Sequence, residues 1–273
     1  MKKKLKKLNL PDAPESGWKY DPIAENQRKA DAFNITDGNK MEYDCPICGH
    51  RGGTYVVDKE GYIIFQVCSC ETIRRNLRRM KKSGLHRIME EDLFNSFQTK
   101  EPWQQMILQK AMEYAAHPDG WFLICGQSGC GKTHLCTAIC RERLLAAESV
   151  QYMSWREEIA QLKVFSDTAQ RNQQIQKWKE VPVLYMDDVF KTGAGSDGRV
   201  RPTSADINVT YEILNYRYLN QLDTIISTEF SLEELLQLDE ALAGRIIQRA
   251  GDNIVVVKND PHKNFRLQNV LEL

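Results

Sequence analysis

The spacing of apolar positions changes several times along the chain, and each change marks an element. Trp121-Phe-Leu-Ile-Cys125 is a short unbroken apolar run, which predicts a buried strand. Beyond a glycine-rich stretch, Leu135, Cys136, Ile139, Cys140 and Leu144 recur at three- and four-residue spacing, which predicts a helix. The alternation then repeats. Further strands are predicted at 149–152, 181–188, 224–228 and 253–257. Between them, Ser154 and Glu157 form a capping box that opens a helix reaching toward Trp178. Thr203 or Ser204 caps a helix with the stripe Ile207, Tyr211, Leu214 and Tyr218, and Ser231 with Glu234 opens another to about Gln248. Ahead of the first strand, Trp103, Ile107, Ala111 and Tyr114 lie on one helical stripe within 102–118. Strands interleaved with helices in this way imply an α/β fold, a five-stranded parallel sheet covered on both faces.

The front of the chain reads differently. Residues 1–44 are polar, basic at the start and punctuated by Pro11, Pro14 and Pro22, with only a weak helical pattern from Ile23 to Phe33. They fit either a solvated tail or a docking arm. Residues 54–67 are β-rich on both sides of Asp58-Lys-Glu-Gly61, which predicts a hairpin turning at Gly61.

The glycine-rich stretch carries the first chemistry. Gly126-Gln127-Ser128-Gly129-Cys130-Gly131-Lys132-Thr133 fits G-x-x-x-x-G-K-[ST], the phosphate-binding loop of nucleotide triphosphatases. Its glycines let the backbone curl so that N–H groups point at phosphate oxygens. Lys132 then reaches the β- and γ-phosphates, Thr133 ligates Mg2+, and the following helix, with His134 in its first turn, lends its amino-terminal dipole. The strand at 181–188 ends in Asp187-Asp188, the Walker B pattern: Asp187 for the Mg2+ shell, Asp188 to orient or activate the attacking water. The nucleotide is placed at the carboxyl ends of the strands, between the glycine turn and a neighbouring acid-tipped strand.

A second constellation flanks the hairpin. Cys45-Pro-Ile-Cys48 and Cys68-Ser-Cys70 supply four thiolates, suited to tetrahedral Zn2+ in a variant zinc ribbon; His50 is an alternative ligand. Four protein ligands leave no open position for water, so this metal is structural. After it, Arg74, Arg75, Arg78, Arg79, Lys81, Lys82 and Arg87 crowd one segment, either a solvated face or a contact to a phosphate backbone. The stretch Lys191–Pro202, with Gly193, Gly195, Gly198, Arg199 and Arg201, reads as a loop, solvated or touching single-stranded nucleic acid. The organisation is therefore 1–44, tail or docking arm; 45–70, zinc ribbon; 71–98, basic helical linker; 99–273, nucleotide-binding domain.

Composition narrows the class. The chain has 273 residues, with 37 basic and 37 acidic side chains, so net charge gives no signal for nucleic acid and only local patches can. No apolar run approaches the roughly 18 residues that span a bilayer, and no signal core follows the basic start. Eight cysteines without an export signal suit a reducing, cytoplasmic setting and metal ligation over disulfides.

Gly126-Gln-Ser-Gly-Cys-Gly-Lys-Thr-His-Leu, Leu184-Tyr-Met-Asp-Asp and Thr224-Ile-Ile-Ser-Thr together resemble the AAA+ ATPases of the DnaC/DnaI helicase-loader type, with the IstB-type helper ATPases as close relatives. The similarity covers about 93–258, and the cysteine module before it looks like that of loaders carried by phages and mobile elements. The resemblance implies an AAA+ P-loop domain without a C-terminal lid. It implies ATP, Mg2+ and single-stranded DNA as ligands, a replicative DNA helicase as partner, and a homo-oligomer when ATP is bound. It also implies a sensor-1 residue at the end of the fourth strand, where Thr228 is favoured and Glu229 stands where Asn is common. An arginine finger is implied in the last helix, Arg249 ahead of Arg245. Two other readings stay open: a transposition helper that delivers a transposase to DNA, and a nucleotide-gated DNA-binding adaptor.

Overall fold

In a computed structural model, residues 20–40, 43–82, 93–164, 167–192 and 202–266 are described, with the side chains of 79–82 left aside. The basic amino-terminal stretch, Arg87 and the glycine–arginine stretch 193–201 lie outside the described residues. The chain forms two compact units, Met1–Cys68 and Ser69–Leu273.

The first unit contains helix α1 (Pro22–Ile35) and the antiparallel hairpin β1 (Gly53–Val57) and β2 (Ile63–Val67). The tail expected at 1–44 therefore includes a packed helix. Asp21 caps it through Ile23 and Ala24, and Pro22 sits in its first turn, where a missing N–H costs nothing. The Asn34 amide pairs with both backbone groups of Tyr55, donating to its carbonyl at 2.8 Å and accepting its N–H at 3.0 Å. That closes the outer edge of β1, and Phe33 meets the Tyr55 ring edge-on at 4.5 Å. The hairpin turns as predicted. Asp58 accepts from Glu60 and Tyr62, and Gly61 has φ +89°.

The second unit opens with α2 (Cys70–Lys82), followed by α3 (Pro102–Ala116), β3 (Phe122–Gly126), α4 (Lys132–Leu145) and β4 (Val150–Ser154). It continues with α5 (Trp155–Val164), α6 (Thr168–Glu180), β5 (Val183–Val189), α7 (Ser204–Leu219) and β6 (Asp223–Thr228). It closes with α8 (Leu232–Leu238), α9 (Glu240–Ala250) and β7 (Ile254–Val257). The five strands are parallel, in the order β4-β5-β6-β3-β7. Strand periodicity divides the core. Phe122, Ile124, Tyr185 and Ile225 face α3 and α4, while Leu123, Cys125, Met186 and Ile226 face α5 to α9.

Two long predicted helices are each broken by an aspartate. Asp167 caps α6 through Ala169, after α5 ends at Val164. Asp239, in extended conformation, ends α8 and caps α9 through Leu242. A short side chain that captures backbone N–H groups restarts a helix wherever periodicity alone reads through. The basic run is not one solvated face either. Arg74 is fully buried in α2, Ile73 and Leu77 also turn inward, and Asn76 bonds the Glu148 carbonyl. Arg75 and Arg78 face outward, with Arg78 paired to Glu71 at 2.6 Å.

Candidate nucleotide site

The carboxyl ends of β3, β5 and β6 meet at a cavity of about 440 Å³. Gly126 is the last residue of β3, so the curl begins after it. Gly129 and Gly131 adopt φ +77° and +92°. A Cβ on Gly129 would stand 2.0 Å from the Asn264 side chain, and one on Gly131 would stand 2.7 Å from the Phe97 ring. Both positions therefore exclude any side chain, by backbone and by space. Ser128, Gly129, Gly131, Lys132, Thr133 and His134 line the cavity. Lys132 is nearly buried and its Nζ donates to the carbonyls of Gly126 and Gln127, at 2.8 and 2.9 Å. Cys130 points into the core, and burial pushes its thiol pKa up, so it stays a neutral apolar filler. Gln127 faces outward and exchanges two hydrogen bonds with the Asp260 backbone. This fixes the segment after β7 against the loop, and Phe265 N–H donates to the Gly129 carbonyl at 2.9 Å.

Asp187 is the focus of the acidic side. Its Oδ1 accepts from Tyr185 and Ser227 hydroxyls, both at 2.6 Å, and from Thr133 at 3.3 Å. Its Oδ2 accepts from Tyr152 at 3.3 Å. Burial first, and then the Asp187 charge, raise the pKa of both tyrosines, so both stay protonated donors. Four hydroxyls thus hold one nearly buried carboxylate beside the loop threonine. The acid-tipped strand is not the direct neighbour of β3, because β6 lies between them. Ser227 of β6 bridges that gap: it donates to Asp187 and accepts the Asp188 N–H at 2.9 Å. Asp188 lines the cavity with φ +52°, beside Lys191 and Glu229.

Thr228 lies elsewhere. Its hydroxyl donates to the Val189 carbonyl at 2.8 Å and accepts the Phe230 N–H at 3.1 Å, so it locks the strand ends together. Ser227 of β6 is the residue that turns to the acids, and Glu229, just past the strand, lines the cavity beside Lys191. Neither was predicted as a ligand. Tyr185 had a readable signal, since it sits two residues before Asp187 on the same strand face.

At the other end of the chain, the Sγ atoms of Cys45, Cys48, Cys68 and Cys70 lie within 4.8 Å of one another. Cys45 and Cys68 sulfurs are 3.7 Å apart, about the edge of a tetrahedron with Zn–S bonds of roughly 2.3 Å. Gly52 N–H donates to Cys48 Sγ at 3.3 Å, an outer contact that steadies a thiolate. His50 stands outside this group and faces Asp44 at 3.2 Å.

The family model of the IstB-like ATP binding protein matches residues 67–272. This chain is an IstB-like ATP-binding protein. It is similar to the phage-like element PBSX protein XkdC of Bacillus subtilis, at 30% identity over 92% of this chain and 96% of the relative. The replicative helicase loader DnaC of Escherichia coli K12 is 24% identical over 67% of this chain and 73% of its own. A crystal structure of the DnaI shares the fold, with a TM-score of 0.50 and 20% identity over 64% of this chain and 91% of that one. The IstB-like protein is thus an AAA+ ATPase, and the cavity between the loop and the two acids is the candidate site for its nucleotide.

One wall of that site is aromatic. Phe97 meets His134 edge-on at 5.1 Å and Phe265 at 5.6 Å, and Phe265 leans on Trp103 at 5.8 Å. Phe97 and Phe265 line the cavity. In the IstB-like protein's helix α9, Arg245 is engaged within the chain. It lies over the Tyr211 and Tyr218 rings at 5.1 and 5.6 Å and donates to the Ala241 carbonyl. Among the described residues, the Arg249 side chain makes no hydrogen bond or ion pair.

Proposed function

We propose that this protein loads a replicative DNA helicase onto single-stranded DNA and uses ATP hydrolysis as the release switch. The observation that supports this reading most is the similarity to a helicase loader over 67% of this chain. Thr133 and Asp187 would hold Mg2+, which would offset phosphate charge when bound. Lys132 and the loop N–H groups bind the phosphates, and Asp188 orients the water. Arg249, which makes no side-chain hydrogen bond or ion pair among the described residues, serves the ATP of a neighbouring copy in a homo-oligomer that forms when ATP is bound.

The four cysteines hold Zn2+. Their all-sulfur donor set and tetrahedral spacing fit that ion and leave no ligand position for chemistry. The hairpin around them exposes Tyr62, Ile64, Phe65 and Val67, an apolar surface suited to a protein partner. The outward Arg75 and Arg78 and the stretch 193–201 are candidates for DNA contact. A reducing cytoplasm suits both the thiolates and the substrate. Among the described residues, no helix is long and apolar enough to cross a membrane.

Gel filtration of the protein with the replicative helicase of its host or phage, with and without ATP, tests the reading. A complex whose stability changes between ATP and ADP supports it. Absence of any complex, or capture of a transposase in its place, contradicts it.

A further inference from the structure

Three charged side chains form one array on the acidic side of the ATP site. Lys191 Nζ lies 2.9 Å from Asp188 Oδ2 and 2.7 Å from Glu229 Oε1, and all three line the cavity. The backbone is bent to bring the lysine there. Asp188 and Phe190 have φ +52° and +68°, and Lys191 N–H closes a turn onto the Asp188 carbonyl at 3.0 Å. A phenylalanine at positive φ is a strained conformation that persists only when its surroundings enforce it. Here they do: Phe190 is buried between Trp155 and Phe230, with ring centres at 5.4 and 6.0 Å. The turn is thus locked by packing, and what it presents to the cavity is an ammonium.

Glu229 explains why a cation is needed. A bare carboxylate there would oppose the terminal phosphate of an incoming nucleotide, and Lys191 neutralises it. Two of the three ammonium donors are taken by Glu229 and Asp188. We propose that Lys191 is a catalytic residue that binds the terminal phosphate of ATP from the same chain. Glu229 keeps hold of it while it exchanges the Asp188 carboxylate for a γ-phosphate oxygen. The exchange releases Asp188 to the attacking water. Water oxygen bonds to the γ-phosphorus as the bond to the β,γ-bridging oxygen breaks. The bond pair leaves with ADP, and the water proton passes by way of Asp188 to the phosphate released. ADP, lacking the γ-phosphate, leaves Lys191 on Asp188.

This inference rests on the ATPase reading and refines it. Calorimetry with Mg-ADP and Mg-ATPγS, and single-turnover hydrolysis, should be compared for the wild type, Lys191→Met, Lys191→Arg and Glu229→Gln. Lys191→Met should keep ADP affinity within about threefold and lose ATPγS affinity about tenfold, the size of one charge-assisted contact. Its single-turnover rate should fall about 100-fold. Lys191→Arg should recover much of both, and Glu229→Gln, which retains the lysine, should slow hydrolysis while keeping ADP binding. Equal losses of ADP and ATPγS, or hydrolysis at or above the wild-type rate in Lys191→Met, would overturn the proposal. If Lys191→Met does not fold, normal turnover in Glu229→Gln overturns it. A wild type that binds ADP and ATPγS without hydrolysing ATP removes the ATPase reading instead, and this inference with it.

Discussion

Ser227→Ala is the substitution in which fold and chemistry are hardest to separate. The Ser227 hydroxyl is fully buried, donates to Asp187 at 2.6 Å and accepts the Asp188 N–H at 2.9 Å. The first is a hydrogen bond to a charged group, worth about 1.5–3 kcal/mol; losing the second orphans a backbone donor, at about 1–3 kcal/mol. Asp187 keeps its hydroxyls from Tyr185, Thr133 and Tyr152, so the total lies toward the lower end, about 3 kcal/mol. For a unit of this size each kcal/mol lowers the melting point by about 2–4 °C, which predicts a drop of about 6–12 °C. Turnover should fall further than stability suggests, by about 100-fold, because Asp188 loses the anchor that sets its backbone. Thr228→Val is the control. It removes hydrogen bonds to Val189 and Phe230 and should cost about 1–3 kcal/mol, with turnover within about threefold of wild type. Thermal melting and phosphate release at saturating Mg-ATP read both quantities. Normal turnover in Ser227→Ala, or turnover abolished in Thr228→Val at small cost in stability, would refute the assignment of these neighbours.

Other consequences follow from the same contacts. Arg217 is buried and donates to the carbonyls of Trp178, Lys179, Val181, Pro182 and Asp223. Arg217→Leu orphans these acceptors and should destabilise the ATPase unit by about 3–5 kcal/mol, read by urea titration. Gly131→Ala forces both φ +92° and a clash with Phe97, and should abolish nucleotide binding while the circular dichroism spectrum stays native. Cys45→Ser, or a strong chelator, should release Zn2+ and open the hairpin unit to protease, while ATP binding by the second unit persists. Retention of a stoichiometric metal by the serine variant would argue against the four-thiolate centre.

Much of the architecture was readable because its signals are local. An apolar run before Gly126, a helical stripe after Lys132 and an acid pair after Met186 each lie within one element. What was not readable depends on which strands are neighbours. Ser227 matters because β6 separates β5 from β3, a fact of strand order that no local pattern carries. Lys191 reaches the site through two positive-φ residues, neither a glycine, so the turn leaves no mark in the sequence. The basic helix misled for the opposite reason. Seven cations suggested a solvated face or a phosphate contact, but Ile73 and Leu77 of α2 turn inward, and Arg74 is buried along with them. The two breaks at Asp167 and Asp239 show the same limit. A capping aspartate inside a polar stretch looks like any other exposed acid until its side chain is seen to accept from the N–H groups of a new helix.

Every role assigned to these residues requires a triphosphate held between the loop at 126–133 and the acids at the end of β5. Calorimetric titration of the wild type and of Lys132→Ala with ATP and ADP, in the presence of Mg2+, tests this directly. Lys132 is nearly buried and its partners are loop carbonyls, so its truncation should leave the fold intact and remove nucleotide binding. The predicted result is one nucleotide bound per wild-type chain and none by the variant. Folded wild-type protein that takes up neither nucleotide, or a Lys132→Ala variant that binds as tightly as wild type, would contradict it.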